Sequence, residues 1–322
     1  MTALAPPTAE EVEAARARIA GVALRTPLLR LQTDTPGRTI YLKLENLQPL
    51  GSFKIRAAYN ALTQADPAAI RGGVLGASAG NFGQGLAYAA NTLGAPVTIV
   101  APDSAAMTKT DALRAMGAKV IRVPFADWWE VLTTRRCEGE TGMFFHPVAE
   151  PAVVAGNATI GAEIVEDLPG EIDAVVVPFG GGGLISGIGS VMRRLKPGAR
   201  MIAVEAETSR PLTAAFAAGA PTPIQHQASF VDGMGSGIVL AEMWPLVRAM
   251  VDEAVDVSLA EIAGAVRTLA LKHRVIAEGA GAAALAAAMA GKAGDGTIVC
   301  VVSGGNIDFG KLSTILAGEV PA

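Results

Sequence analysis

Short apolar runs, each about one strand long, alternate along the chain with segments of helical periodicity, and no other feature constrains the fold as tightly. In the first run Ile40, Leu42 and Leu44 share one face; later runs are Val74-Leu75, Val97 to Val100, Val120 to Val123, Ala174 to Val177, Met201 to Val204 and Ile298 to Val302. Strand, helix, strand repetition needs crossover connections, so the expected class is α/β with mostly parallel, doubly wound sheets. The chain has 322 residues, beyond the ~250–300 at which single cores stop growing, so two lobes are expected. Junctions containing Pro and Gly at 66–73 and 147–157 divide it into a large lobe, 1–65 with 151–322, and a small lobe, 66–150, that forms part of a cleft.

Helix punctuation agrees with this pattern. Thr8 with Glu11, and Ser258 with Glu261, match the capping box, in which two side chains satisfy backbone donors left over at a helix start. The Ala/Gly-rich stretch 279–291 is too short to span a bilayer and reads as a buried helix. The 26 basic and 30 acidic residues are spread along the chain, with no basic stripe for nucleic acid and no polybasic membrane anchor. Cys137 and Cys300 have neither a disulfide-framework nor a zinc spacing. The N-terminus lacks a signal-peptide pattern. A cytoplasmic protein acting on a small molecule is expected.

Three of the strands run into unusual loops: GASAGNFGQG after Val74-Leu75, PFGGGGLISG after Val175 to Val177, and SGGNID after the last strand. In open parallel sheets, ligands bind at the carboxyl ends of strands, so these loops are expected to converge. Gly180 to Gly183 carry no side chains to obstruct an anion and lead into a helical pattern, Leu184 to Leu195. Backbone N–H groups at a helix start make a phosphate cradle. A tight turn that binds nothing is the bland reading, but four successive glycines are costly in folding entropy, which favours the phosphate. Leu184 spoils G-x-G-x-x-G and no lysine follows, so neither a dinucleotide nor a nucleoside triphosphate is indicated.

Gly76 to Gly80 also matches the G-x-S-x-G nucleophile elbow, with Ser78 as the nucleophile. A hydrolase would need a histidine partner, and His146, His226 and His273 each have a plainer explanation as turn, loop or helix-end residues. That reading also leaves Lys54 unexplained. Lys54 opens an apparent helix, beside Phe53, at the end that carries partial positive charge. The position is poor for a cation but suits an amine that must lose its proton. A lysine amine, a phosphate cradle and polar strand-end loops together suggest pyridoxal phosphate.

With those residues in view, the chain resembles the fold-type II pyridoxal-phosphate enzymes of the threonine/serine dehydratase and serine racemase family, whose fold is like that of tryptophan synthase β. The likeness runs from RTPLLRL at 25–31 through KLENLQPLGSFKIRAA, SAGNFGQGLA, AGNATIGAEI, PFGGGGLISGI and AEGAGAAAL to SGGNID at 303–308. The resemblance implies that Lys54 holds the cofactor and removes the substrate α-proton, while Phe53 flanks the ring. It implies that Asn81 meets the cofactor 3'-oxygen, that Gly180, Gly181, Gly182, Gly183 and Leu184 bind its phosphate, and that Ser303 faces the pyridine nitrogen. Ser78, Ala79, Gly80, Asn81 and Phe82 would receive the amino-acid substrate, with Ser78 or the cofactor phosphate handling the leaving hydroxyl. The implied reaction is β-elimination: threonine to 2-oxobutanoate and ammonia, serine to pyruvate and ammonia.

Several positions depart from the family pattern. Phe82 stands where a histidine is common, which suggests a bulkier β-hydroxy amino acid as an alternative substrate. Ala79 stands where racemases carry their acid-base serine, which favours a dehydratase over a racemase. Metal-dependent relatives carry a carboxylate at the position of Glu205 and a second a few residues on, here Pro211, so a divalent cation is not predicted, although Glu205 alone could hold one weakly. The sequence stops soon after SGGNID, so no isoleucine-sensing module is expected. Relatives are homodimers or homotetramers, and the same is expected here. A non-catalytic cofactor-binding protein is the plainest alternative.

Overall fold

The computed structural model describes residues 4–32 and 35–321. Among the described residues ten strands form two sheets: β1 (Leu28–Arg30), β2 (Arg38–Leu44), β3 (Val74–Ala77), β4 (Val97–Pro102), β5 (Lys119–Val123), β6 (Met143–Phe144), β7 (Ala174–Pro178), β8 (Arg200–Ala206), β9 (Glu253–Val257) and β10 (Gly296–Val302). The six-stranded sheet has the order β1-β2-β10-β7-β8-β9, and the four-stranded sheet β5-β4-β3-β6. Among these strands only β1 runs antiparallel to its neighbour; the other strand pairings are parallel. All seven strands expected from the apolar runs are present.

The reason β10 sits in the middle of its sheet is visible in its side chains. Ile298, Cys300 and Val302 join one buried cluster, and Val299 and Val301 join the cluster on the opposite face. A strand with both faces covered reads as a continuous apolar run. Each fully buried Val or Ile contributes about 1.5–3 kcal/mol. The Gly279–Met289 helix lies on the first of these faces; its residues from Gly279 to Ala288 are buried, as the sequence suggested. Both capping boxes form, at Thr8 and Ser258.

Helix Lys54–Gln64 packs between helices Asn81–Thr92 and Pro151–Asp167. Its Ala57, Ala58, Ala61 and Leu62 belong to the core beneath the four-stranded sheet, together with Phe82, Leu86 and Ile99. The connection after β3 leads to β4 and β5 on one side, whereas β6 joins β3 on the other. The same reversal occurs between β10 and β7 in the larger sheet. Such reversals open crevices at the carboxyl ends of parallel strands.

Candidate active site

The two crevices meet in one cavity of about 550 Å³. Phe53, Lys54, the loop Ser78–Phe82 after β3, His146–Val148 after β6, Gly180–Leu184 after β7 and Ser303 after β10 all line it. The residues singled out in the sequence for cofactor and substrate are thus brought together, although they are scattered over most of the chain.

Lys54 is the first residue of its helix, with Phe53 as the preceding cap. Its Nζ donates to the Pro147 carbonyl at 3.1 Å and stands 5.0 Å from the Phe53 ring centroid and 5.6 Å from that of Phe82. Burial among these groups lowers its pKa to about 8. Loss of solvent is the cause, rather than the helix start, because a buried ammonium forfeits its hydration. Burial thus shifts the amine toward its neutral form.

The glycine loop is shaped by contact as well as by conformation. Gly182 has φ +88° and caps the helix Gly183–Leu195, one residue earlier than the sequence pattern placed the start. A Cβ at Gly181 would lie 2.7 Å from Val148 Cγ2, and one at Gly182 would lie 2.5 Å from Val247 Cγ2. A side chain there would displace Val148 or Val247, and the loop lines the cavity at a helix start, where backbone N–H groups lack intrahelical partners. Ser303 is buried, and its carbonyl accepts from the Phe53 N–H at 3.1 Å, tying the strand end to the start of the Lys54 helix.

Asn81 begins the helix after the Ser78–Gly80 loop, and its amide bonds to two side chains. Its Nδ2 donates to Glu278 Oε1 at 2.9 Å, and its Oδ1 accepts from Asn306 Nδ2 at 2.8 Å. Glu278 lines the cavity and was not picked out from the sequence, although it lies inside the AEGAGAAAL motif. Burial, reinforced by the charge of Asp232, raises its pKa to about 7; Lys109 and the Asn81 hydrogen bond oppose the shift. Lys109 and Asp232 form an ion pair at the same cavity. A lone carboxylate between two apolar runs was the available signal for Glu278.

Two other candidates take different roles. Glu205 is buried at the start of helix Pro211–Ala218, where its oxygens accept from Leu212 N–H at 2.6 Å and from Thr213 N–H and Oγ1 at 2.9 and 2.7 Å. Among the described residues no group of three or more His, Cys, Asp or Glu is arranged to hold a metal. Ser78 shares the cavity with His146 alone of the three histidines. His146 Nδ1 accepts from the Val148 and Ala149 amides at 3.1 and 2.8 Å, so it is not free to serve Ser78 as a base.

The residues present fit pyridoxal phosphate: a buried amine of lowered pKa, a glycine cradle at a helix start for the phosphate, Phe53 and Phe82 as apolar walls, and a hydroxyl at Ser303. Comparison with known proteins agrees. The L-threonine ammonia-lyase of Thermotoga maritima is 38% identical over 96% of this chain and 78% of its own. The T.th. threonine deaminase superposes with a TM-score of 0.86 at 31% identity, covering 94% of this chain and 99% of its own. Maize serine racemase superposes with a TM-score of 0.88 at 29% identity and covers 98% of both chains. The family described as pyridoxal-phosphate dependent enzyme matches residues 19–304, and the chain belongs to that family.

Proposed function

We propose that the protein is an ammonia-lyase acting on β-hydroxy amino acids, converting L-threonine to 2-oxobutanoate and L-serine to pyruvate, each with release of ammonia. The observation that carries this reading is the buried Lys54 amine, its pKa lowered to about 8, in a cavity it shares with Ser78 and a position 79 that has no hydroxyl. The threonine ammonia-lyase and threonine deaminase among the similar proteins support the substrate class.

Bound pyridoxal phosphate supplies the electron sink that makes the substrate Cα–H acidic. Lys54 holds the cofactor and, once its amine is free, takes the α-proton. The electron pair of that C–H bond forms Cα=Cβ as the Cβ–O bond breaks, the hydroxyl takes a proton through Ser78 and leaves as water, and the released enamine tautomerises and takes up one water to give the 2-oxo acid and ammonia. Ser78 holds this hydroxyl, and the backbone of Ser78 to Asn81 at the helix start receives the substrate carboxylate. Gly180 to Leu184 would hold the phosphate, Asn81 would meet the 3'-oxygen, and Phe53 would flank the ring. Ser303 would meet the pyridine nitrogen with a neutral hydroxyl, which would not stabilise a charge there as a carboxylate does. Phe82, buried against the amine, limits the substrate side of the pocket. Ala79 offers no proton to the opposite face, which weighs against racemisation.

In this reading 1–65 with 151–322 form the cofactor-carrying lobe and 66–150 the small lobe that covers the substrate. The protein acts in the cytoplasm, consistent with two free cysteines, as a homodimer or homotetramer. Among the described residues no helix is long and apolar enough to cross a membrane.

Borohydride reduction of the purified holoenzyme should bleach its yellow colour and leave pyridoxyl mass on the Lys54 peptide. Threonine, serine, 3-hydroxyaspartate and phenylserine should then be assayed for 2-oxo acid and for inverted amino acid. Threonine or serine should give 2-oxo acid, and Lys54→Ala should abolish it. Inversion without ammonia would replace the lyase by a racemase, and exclusive turnover of phenylserine would reassign the substrate.

A further inference from the structure

The crossover from β6 to helix Pro151–Asp167 passes directly under the Lys54 amine, and one buried histidine organises it. His146 is 1% exposed. Its Nδ1 accepts two backbone amides, Val148 N–H at 3.1 Å and Ala149 N–H at 2.8 Å, which requires Nδ1 to be unprotonated. These two bonds curl residues 146–149 into a tight loop with two outward consequences. The Pro147 carbonyl accepts from Lys54 Nζ at 3.1 Å, and the Val148 side chain closes on the glycine loop, 2.7 Å from where a Gly181 Cβ would sit.

The groups facing the imidazole keep it neutral. Burial, then the charges of Arg135 and Lys54, lower its pKa to about 3. Its proton is therefore on Nε2, which has no hydrogen-bond partner and lies 3.9 Å from Glu242 Oε1. Glu242 is drawn off by Arg135, whose Nη2 donates to Glu242 Oε2 at 3.1 Å and to the Ala149 carbonyl at 2.9 Å. Glu150 Oε1 accepts from the backbone N–H of His146 at 3.2 Å, closing the loop from its far end.

We infer that His146 is a positioning residue: through Nδ1 it sets the loop that parks the free Lys54 amine on the Pro147 carbonyl and seats Val148 under the phosphate cradle. The amine needs such a rest point only while it is detached from the cofactor, which is when it must take the α-proton. His146 thus acts on turnover more than on substrate binding. This inference rests on the lyase reading for its kinetic consequences, but not for the tautomer and loop geometry.

The tests use the holoenzyme. An asparagine Oδ1 can occupy the place of Nδ1 and accept the same two amides, as in an Asx turn, whereas leucine cannot. His146→Asn should keep kcat within about threefold of the parent. His146→Leu should lose about tenfold in kcat at little change in KM, and the acid limb of its kcat profile should move upward, because an amine released from its dry site gains water and proton affinity. Equal loss in both variants, or a profile in His146→Leu that does not move, would overturn the inference. If His146→Leu does not fold, long-range proton–nitrogen spectra of the unaltered protein decide, with His146→Asn assigning the signal. The expected signal is a neutral Nε2–H tautomer that does not titrate between pH 5 and 8; an Nδ1–H tautomer or a titrating imidazole refutes it. If borohydride fails to label Lys54 while the tautomer is as expected, the lyase reading fails and the loop geometry stands.

Discussion

Arg56 lies two residues beyond Lys54, fully buried, and its guanidinium is divided between two carboxylates. Nε and Nη2 donate to Glu45 at 2.8 and 2.9 Å, and Nη1 and Nη2 donate to Glu163 at 2.6 and 2.9 Å. Lys43 Nζ adds a bond to Glu163 Oε2 at 2.6 Å, so two buried cations meet two buried anions. Removing one member leaves the others unpaired in a dry site. Arg56→Met should therefore cost about 3–5 kcal/mol, read from urea unfolding of the holoenzyme; a loss under 1 kcal/mol would show that water enters and rescues the carboxylates. Lysine is no conservative replacement here, since it lacks the planar fork. This network was not legible in the sequence, because Lys43 and Arg56 find Glu163 across more than a hundred residues and no local pattern marks the pairing. Lys54, the glycine loop and Ser78–Phe82 were legible because each is a compact motif beside a strand end.

At the scale of elements, the Lys54 helix is held by close backbone approach. A Cβ at Gly156 would stand 2.7 Å from the Arg56 carbonyl and 2.9 Å from Ala57 Cα, and one at Gly85 would stand 3.1 Å from the Lys54 carbonyl. Backbone cannot yield as a flexible side chain does, so Gly156→Ala must push the Lys54 helix away from helix Pro151–Asp167. The expected result is about 1–3 kcal/mol of lost stability and a fall in kcat, by unfolding and steady-state assays of one preparation. Gly264 is the control: it is exposed in helix Leu259–Thr268, and a Cβ there meets nothing within 4 Å. Gly264→Ala should stabilise by about 0.5–1 kcal/mol and leave turnover unchanged. The elements that escaped the sequence reading share a cause. β1 and β6 have three and two residues, and β9 is an edge strand in which Glu253 and Asp256 interrupt the apolar run. Pairing partners, rather than their own residues, make these segments strands.

Across the whole molecule, the two sheets point the carboxyl ends of their reversal points at one cavity, and polar contacts from Asn81 and Lys109 on the four-stranded side reach Glu278 and Asp232 on the other. Glu278 makes that junction sensitive to pH. Its pKa is raised to about 7 when folded, chiefly by burial and then by Asp232, so between the ordinary carboxylate range and pH 7 the folded protein binds a proton that the unfolded chain has released. Stability from this group is complete below the unfolded value and is lost as pH rises through about 7, with a slope approaching about 1.4 kcal/mol per pH unit in between. Glu278→Gln keeps the shape, still accepts from Asn81, and removes the titration. Urea unfolding at pH 5, 6, 7 and 8 should show the parent losing stability relative to Glu278→Gln as pH rises, and Asp232→Asn should move that loss to lower pH by relieving the like charge. Parallel curves for parent and Glu278→Gln would mean that Glu278 is ionised throughout, with Lys109 and the Asn81 amide outweighing burial.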